Sequence, residues 1–234
     1  KQKMSMDEME ILEAHAMAEQ NLSAVIIDIG GIATYPAIIP SKGSKRHIIE
    51  IAAHEWLHHH FFFKELGKHF GDSSEMTSLN ETIANVVGQE LSSIICNNLV
   101  KLNQECEPQN EKYPINNMDG FNFGKEMRET RLRVEELLIN QKIVEAETYM
   151  EQRRKLFQQH GIIIRKLNQA YFAFHGTYAD TPASISPIGQ QVKEFRNLTD
   201  NLSEFLNLVS DISSYKDFIA TLADLRRMDS SVRN

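Results

Sequence analysis

Apolar residues recur every three or four positions along most of the chain, a spacing that places them on one face of a helix. This pattern predicts helices over residues 4–20, 46–65, 80–102, 125–139, 142–158, 161–179, 188–209 and 214–226. The carboxy-terminal half shows no strand pattern, so we expect it to form a helical bundle.

Two short segments near the amino terminus depart from the helical spacing. Residues 24–29 form an apolar run that predicts a buried strand, which Gly30 and Gly31 interrupt. Residues 32–39 predict a second extended piece, and Pro36 restricts it to the edge of a sheet. We therefore expect an α+β fold that is predominantly α, with a short N-terminal sheet.

An irregular stretch with prolines and polar residues, between positions 103 and 124, is the clearest break along the chain. It predicts three parts. These are a metal-binding core over residues 1–106, an irregular connection over residues 107–124, and a helical subdomain over residues 125–234 that packs on the core.

Composition narrows the classes of function. With 234 residues, of which 41% are apolar, the chain is long enough to bury a sizeable core. The net charge is −7, with 25 Lys and Arg against 32 Asp and Glu, and the basic residues are scattered. A nucleic-acid surface needs clustered positive charge, so we expect no nucleic-acid partner. No run of apolar residues is long enough to predict a membrane-spanning segment.

Location and redox state stay open at this stage. The chain begins at Lys1 rather than at a methionine, which leaves room for a removed signal peptide or anchor and an extracytoplasmic location. Cys96 and Cys106 are ten residues apart, and this spacing allows either a disulfide or two separate thiols.

The strongest chemical signal is the H-E-x-x-H motif that runs from His54 through Glu55 to His58, within a predicted helix. Residues four apart share one helix face, with about 6 Å between Cβ atoms, so both imidazoles can bind one Zn²⁺. The motif can arise by chance. However, an unpaired histidine and glutamate would be costly to bury in such an apolar helix, and a metal would remove that cost. We therefore predict one zinc ion per chain.

A catalytic zinc site needs a third protein ligand, and Glu81, 23 residues after His58, is our candidate. The other candidates nearby are His69, Asp72 and Glu75. Glu81 could instead form a capping box with Ser78 at the start of its helix. Asn85 lies one turn after Glu81, where its side-chain oxygen is predicted to accept the Nδ1–H of a metal-bound histidine. This position of Asn85 favours Glu81 as the ligand.

The H-E-x-x-H motif followed by Asn80-Glu81-x-x-x-Asn85 resembles the gluzincin, or thermolysin-like, zinc metallopeptidases. Residues 24–88 and 171–178 are also similar to bacterial proteins described as predicted aminopeptidases. The resemblance implies a zincin-like core with two crossing active-site helices and a third zinc ligand at Glu81. Asn85 departs from the thermolysin-like pattern, which has aspartate there, and a neutral acceptor should make the ligand histidine less basic.

The expected reaction is hydrolysis of a peptide bond by a metal-activated water, with Glu55 as the general base that later protonates the leaving amine. Tyr171, His175 and Tyr178 are spaced to share one face of a helix. The resemblance implies that Tyr178 and His175 support the negative charge that develops on the substrate oxygen. The alternative is an aromatic core stripe, which we favour for Tyr171.

The predicted edge strand is a candidate substrate-binding element. Gly31, Ile32, Ala33 and Thr34 precede the motif helix, where an edge strand can pair with an extended peptide. We therefore expect a zinc-dependent peptidase that acts on peptides or proteins, with aminopeptidase as the favoured subtype. Two alternatives are a non-catalytic zinc-containing scaffold and a helical module that binds partners through its carboxy-terminal helices.

Overall fold

The computed structural model describes residues 4–20, 22–28, 30–106 and 120–232, and these contain ten helices. In chain order they are α1 (Met6–Gln20), α2 (Lys45–Phe61), α3 (Glu65–Lys68), α4 (Ser74–Lys101), α5 (Phe123–Ile139), α6 (Ile143–Gln159), α7 (Gln169–His175), α8 (Ile188–Asn197), α9 (Leu202–Ser210) and α10 (Tyr215–Val232).

The predicted α+β class with an N-terminal sheet, and with it the zincin-like core, is wrong. The described residues are 66% helical and form no sheet, so the fold is all-α. An isolated antiparallel bridge joins Ile32 and Ile38, in which each backbone N–H donates to the other residue's carbonyl, over 2.9 and 3.0 Å.

Side chains explain why the apolar run that begins at Ala24 forms no strand. The Ile26 N–H donates to Glu13 Oε1 over 2.5 Å, and its carbonyl accepts from Arg165 Nη2 over 2.7 Å. The Ala24 carbonyl accepts from Asn168 Nδ2 over 2.8 Å. Backbone groups that a neighbouring strand would have satisfied are therefore satisfied by side chains.

Capping residues set the helix bounds where the apolar pattern placed them differently. The helix predicted from residue 80 begins at Ser74, because Ser73 Oγ accepts from the Met76 N–H over 3.2 Å. The helix predicted over residues 161–179 is reduced to α7, capped by Asn168. The helix predicted over residues 188–209 is interrupted, and Asn201 caps its second part, α9.

The described residues divide into two compact units. The first comprises those within Lys1–Asp28, Glu111–Gly176 and Thr181–Ile185, and the second those within Ile29–Asn110, Thr177–Asp180 and Ser186–Asn234. The core of the first unit is built on Phe123, Met127, Val134, Met150, Phe157 and Phe172. The core of the second is built on Leu57, Phe61, Leu79, Ile83, Val87, Val192, Phe195, Phe205 and Phe218.

The second unit also contains the disulfide that the spacing had left open, between Cys96 near the end of α4 and Cys106. The predicted connection over residues 107–124 falls mostly on residues 107–119, which lie outside the described residues, so the predicted domain boundaries stay a prediction. None of the helices in the described ranges combines the length and the apolar character needed to cross a bilayer.

Candidate metal centre

The motif helix α2 and the long helix α4 approach each other closely in the second unit. Leu57 and Phe61 on α2 pack into the same core as Leu79 and Ile83 on α4, and all four side chains are fully buried. A Cβ on Gly88 would lie only 3.0 Å from the Glu50 carbonyl oxygen, so a glycine permits this approach. The core contacts fix the rotation of α2 and turn the neighbouring histidines towards α4.

Three side chains converge where the two helices meet. The Nε2 atoms of His54 and His58 lie 3.0 Å apart. Glu81 Oε2 lies 3.2 Å from His54 Nε2 and 3.6 Å from His58 Nε2. The side chains of His54, His58 and Glu81 are 12%, 18% and 14% exposed, so the group is largely shielded from water. Among the described residues, these three form the group of metal-ligand atoms that could hold an ion.

The geometry of this triad fits a zinc ion. Ligand bonds of about 2.0–2.1 Å in a tetrahedral arrangement place neighbouring ligand atoms roughly 3.3–3.4 Å apart, close to the three separations found here. Glu81 Oε2 and His54 Nδ1 are also buried without a hydrogen-bond partner among the described atoms. A cation bound by the triad would satisfy the Glu81 oxygen, whose burial would otherwise be costly.

The charges within the triad support each other. Burial raises the pKa of Glu81, but the close approach and charge of the two histidines outweigh it and lower the pKa to about 2. Burial likewise lowers the pKa of His58, but Glu81 and Glu55 outweigh it and raise the pKa. Glu81 is therefore an anion at neutral pH, as a metal ligand must be.

Asn80 orients His58, a role that the sequence analysis had given to Asn85. His58 Nδ1 lies 3.1 Å from Asn80 Oδ1, and Asn80 Nδ2 donates to the Leu66 carbonyl over 3.3 Å. With its amide fixed in this way, Asn80 presents its side-chain oxygen to His58 Nδ1. His58 Nε2 is then left to face His54 and Glu81. Asn80 is almost fully buried, and its position directly before Glu81 was the available signal.

Asn85 makes a different contact, so its predicted hydrogen bond to a ligand histidine is not present. Asn85 Nδ2 donates to Asp180 Oδ1 over 3.2 Å. Both Asn80 and Asn85 lie near Glu81 on α4, but the crossing of the helices brings Asn80, not Asn85, to His58. The role of Asp180 as the partner of Asn85 was also missed from the sequence.

The triad opens into a cavity of about 540 Å³ within the second unit. Its walls include Glu55, Phe62, Phe70 and Tyr178 as well as the triad. Glu55 is 6% exposed, and burial raises the pKa of its carboxyl group. A raised pKa brings this carboxyl closer to the range in which it can both accept and return a proton near neutral pH.

Gly31 lies directly against Glu55. A Cβ on Gly31 would lie 2.3 Å from Glu55 Oε1 and 2.7 Å from its Cδ and Cγ atoms. The absence of a side chain at position 31 therefore leaves the space that the Glu55 carboxylate occupies. Gly31 is predicted from its sequence to lie in a substrate-binding strand, and the pattern around it carries no sign of this contact with Glu55.

The other predicted substrate-binding residues are divided between the cavity and a turn. Ile32 and Ala33 line the cavity with Gly31, whereas Thr34 is not among its lining residues. Thr34 Oγ1 instead donates to the Pro36 carbonyl over 2.9 Å. The Ile32 N–H and carbonyl are already bonded to Ile38, and the sheet edge on which strand pairing was predicted is absent from the described residues.

Tyr178 and His175 do not share a helix face, because α7 ends at His175. Tyr178 lines the cavity, and its ring centroid lies 6.3 Å from that of His54. Burial and the negative charges of Glu81 and Glu55 raise the pKa of Tyr178 to about 12, so its hydroxyl stays protonated at neutral pH. His175 belongs to the first unit, where its ring lies 4.2 Å from that of Tyr171 and its carbonyl accepts from Thr181 Oγ1.

The alternatives for the third ligand have other contacts. His69 Nδ1 pairs with Asp72 Oδ2 over 2.6 Å at the surface. Glu75 is exposed in the first turn of α4. The capping-box alternative for Glu81 is wrong, because the helix is capped by Ser73 and Glu81 lies two turns inside it.

Comparison of the chain with protein-family models, curated proteins and solved structures found no match.

Proposed function

We propose that this protein is a zinc-dependent peptidase. The observation that carries the proposal is the convergence of His54, His58 and Glu81 at the wall of a cavity that also contains the buried carboxyl of Glu55. Two imidazoles and one carboxylate are a ligand set of catalytic zinc sites, which keep one coordination position open. The resemblance of the two motifs to the gluzincin metallopeptidases supports the same activity.

In this proposal the three metal ligands, Asn80 and Glu55 each have a defined task. His54, His58 and Glu81 hold the metal, and Asn80 keeps the His58 ring in the required orientation. When bound by these residues, zinc would act as a Lewis acid that polarises the peptide carbonyl and makes water more acidic near neutral pH. Glu55 accepts a proton from the attacking water and passes it to the leaving amine, a role that its place in the cavity beside the ligands allows.

Tyr178 completes the set as a hydrogen-bond donor. Its hydroxyl is protonated at neutral pH, which is the form that can donate to an oxygen as negative charge develops there. Such donors contribute on the order of 10²–10³-fold to turnover in hydrolases.

Aminopeptidase remains the proposed subtype, on the resemblance alone. Among the residues that line the cavity, the carboxylates are Glu55 and Glu81, and both already have a task. Peptides with free and with acetylated amino termini distinguish the subtypes. An aminopeptidase cleaves only the free form, whereas an endopeptidase cleaves both.

The test compares three glutamate variants. Glu81→Ala should lose zinc and activity together, because the metal loses one of its three protein ligands. Glu55→Gln should retain stoichiometric zinc but lose about 10²–10⁴-fold in kcat, because only the base is removed. Glu75→Gln, on the exposed first turn of the same helix as Glu81, is the matched control and should behave as wild type. A zinc-loaded wild type that hydrolyses no member of a peptide library would instead support a zinc-containing scaffold.

A further inference from the structure

A stripe of four polar side chains runs along one sector of α4. Ser78, Thr82, Asn85 and Gln89 follow the spacing i, i+4, i+7 and i+11, which places them within a narrow sector of one helix face. Ser78 and Thr82 are buried, although neither belongs to the metal ligands or to their hydrogen-bond partners. The chemistry of the proposed peptidase leaves this stripe without a task.

All four side chains bond to one short segment, residues 177–180. Ser78 Oγ donates to the Thr177 carbonyl over 2.8 Å, and the Ala179 N–H donates to Thr82 Oγ1 over 2.9 Å. The two remaining members both reach Asp180. Asn85 Nδ2 donates to Asp180 Oδ1 over 3.2 Å, and Gln89 Nε2 donates to Asp180 Oδ2 over 3.3 Å.

These hydrogen bonds bracket Tyr178 on both sides. The bond to Thr177 precedes it, and the bonds to Ala179 and Asp180 follow it. The Ala179 carbonyl also lies closely against Gly189 of α8, where an added Cβ would come within 2.2 Å of its oxygen. Tyr178 lies outside any helix, so its place in the cavity depends on contacts of this kind rather than on a helical backbone.

We propose that Ser78, Thr82, Asn85 and Gln89 form a clamp that positions Tyr178 in the cavity of the metal centre. The clamp and Glu81 belong to the same helix, so one rigid element fixes both the metal ligand and the hydrogen-bond donor. The four are positioning residues, since they act on the substrate only through Tyr178. With regard to turnover, this inference rests on the proposed peptidase activity, but the clamp itself can be tested without it.

Thr82 is the member whose replacement is most informative. Thr82→Val keeps the shape of the buried side chain and removes the oxygen that accepts from the Ala179 N–H. A buried backbone N–H without a partner should open more readily, and we expect its hydrogen exchange to become about tenfold to a hundredfold faster. Thr82→Ser keeps the hydroxyl and should restore the slow exchange.

The activity arm separates positioning from a general loss of structure. We expect Thr82→Val to lower kcat about tenfold with little change in KM and in zinc content, because the donor is displaced while the metal ligands stay. In a Tyr178→Phe background, Thr82→Val should lower kcat no further, since the hydroxyl that it positions is already absent. Ser210→Ala removes a buried hydroxyl that donates to the Leu206 carbonyl of its own helix, and it is the control for hydroxyl loss alone.

The two arms fail in distinguishable ways. Unchanged exchange at Ala179 in Thr82→Val overturns the clamp, whatever the enzyme does. Equal kcat losses from Thr82→Val with and without the Tyr178 hydroxyl overturn the positioning role. If wild-type protein binds zinc and hydrolyses no peptide, the proposed function fails, and faster exchange at Ala179 in Thr82→Val still supports the clamp.

Discussion

An alanine at position 31 is expected to displace the Glu55 carboxylate from its place in the cavity. The added Cβ would lie 2.3 Å from Glu55 Oε1, well inside the contact distance of two non-bonded atoms. The atoms that the added Cβ would meet belong to the end of the Glu55 side chain, which has rotatable bonds. The carboxyl group should therefore move rather than the backbone. The variant should therefore lose the general base while the metal ligands stay in place.

The size of the effect follows from what the displaced group does. A positioned general base contributes about 10²–10⁴-fold, so we expect Gly31→Ala to lower kcat at least about 100-fold with zinc content unchanged. Crowding the buried contact should cost about 1–3 kcal/mol of unfolding free energy. Gly30→Ala is a matched control, because a Cβ on Gly30 would meet no atom within 4 Å.

A double-mutant cycle identifies the contact as the cause. Kinetic assays give kcat, and denaturant unfolding gives stability, for Gly31→Ala, Glu55→Ala and the double variant. In the Glu55→Ala background the added methyl group should be tolerated, so most of the stability loss should disappear. A Gly31→Ala protein with wild-type kcat, or a stability loss that is the same in both backgrounds, would show that this contact does not position Glu55.

Two further predictions concern metal affinity and acid stability. Asn80→Ala should weaken zinc binding about 10–100-fold in a chelator competition assay, because His58 loses its orienting partner, whereas Asn97→Ala on the exposed side of the same helix should not. Equal affinities would contradict this. Burial raises the pKa of Glu13, but hydrogen bonds from Arg165, Lys166 and the Ile26 N–H outweigh this effect and lower the pKa from 4.5 to about 2. A carboxyl group whose pKa is lowered by folding stabilises the native state when the pH is above its pKa in the unfolded chain. Glu13→Gln should therefore lower the free energy of unfolding by about 2–3 kcal/mol at pH 7. In urea unfolding this difference should shrink as the pH falls from about 4.5 towards 2, and a difference independent of pH would count against it.

The part of the site that follows from local geometry could be predicted from the sequence. The placement of His54 and His58 on one face depends only on helical spacing, and an apolar helix gave the reason to expect a metal there. The prediction of Glu81 as the third ligand depended on a second helix that crosses the first. The choice between Asn80 and Asn85 depended on the direction of that crossing, which the spacing within α4 does not contain.

The parts that failed depend on contacts between residues far apart in the sequence. The apolar run that begins at Ala24 has the composition of a strand, but Glu13, Arg165 and Asn168 take the backbone groups that a sheet would have used. Most of the segment 161–179, predicted as one helix, is non-helical. His175 and Tyr178 therefore do not share a helix face. The spacing of Ser78, Thr82, Asn85 and Gln89 places them on one helix face, but α4 carries many other polar residues, so this spacing alone did not single out the clamp.

The central claim is that two imidazoles and one carboxylate bind a single zinc ion at the wall of the cavity. Crystals grown from zinc-loaded protein, measured at the zinc absorption edge, test this directly. We expect one anomalous peak per chain, about 2.0–2.1 Å from the Nε2 atoms of His54 and His58 and about 2.0–2.2 Å from a carboxylate oxygen of Glu81. A peak bound by other residues, or a fully loaded sample with no peak at this triad, would contradict it.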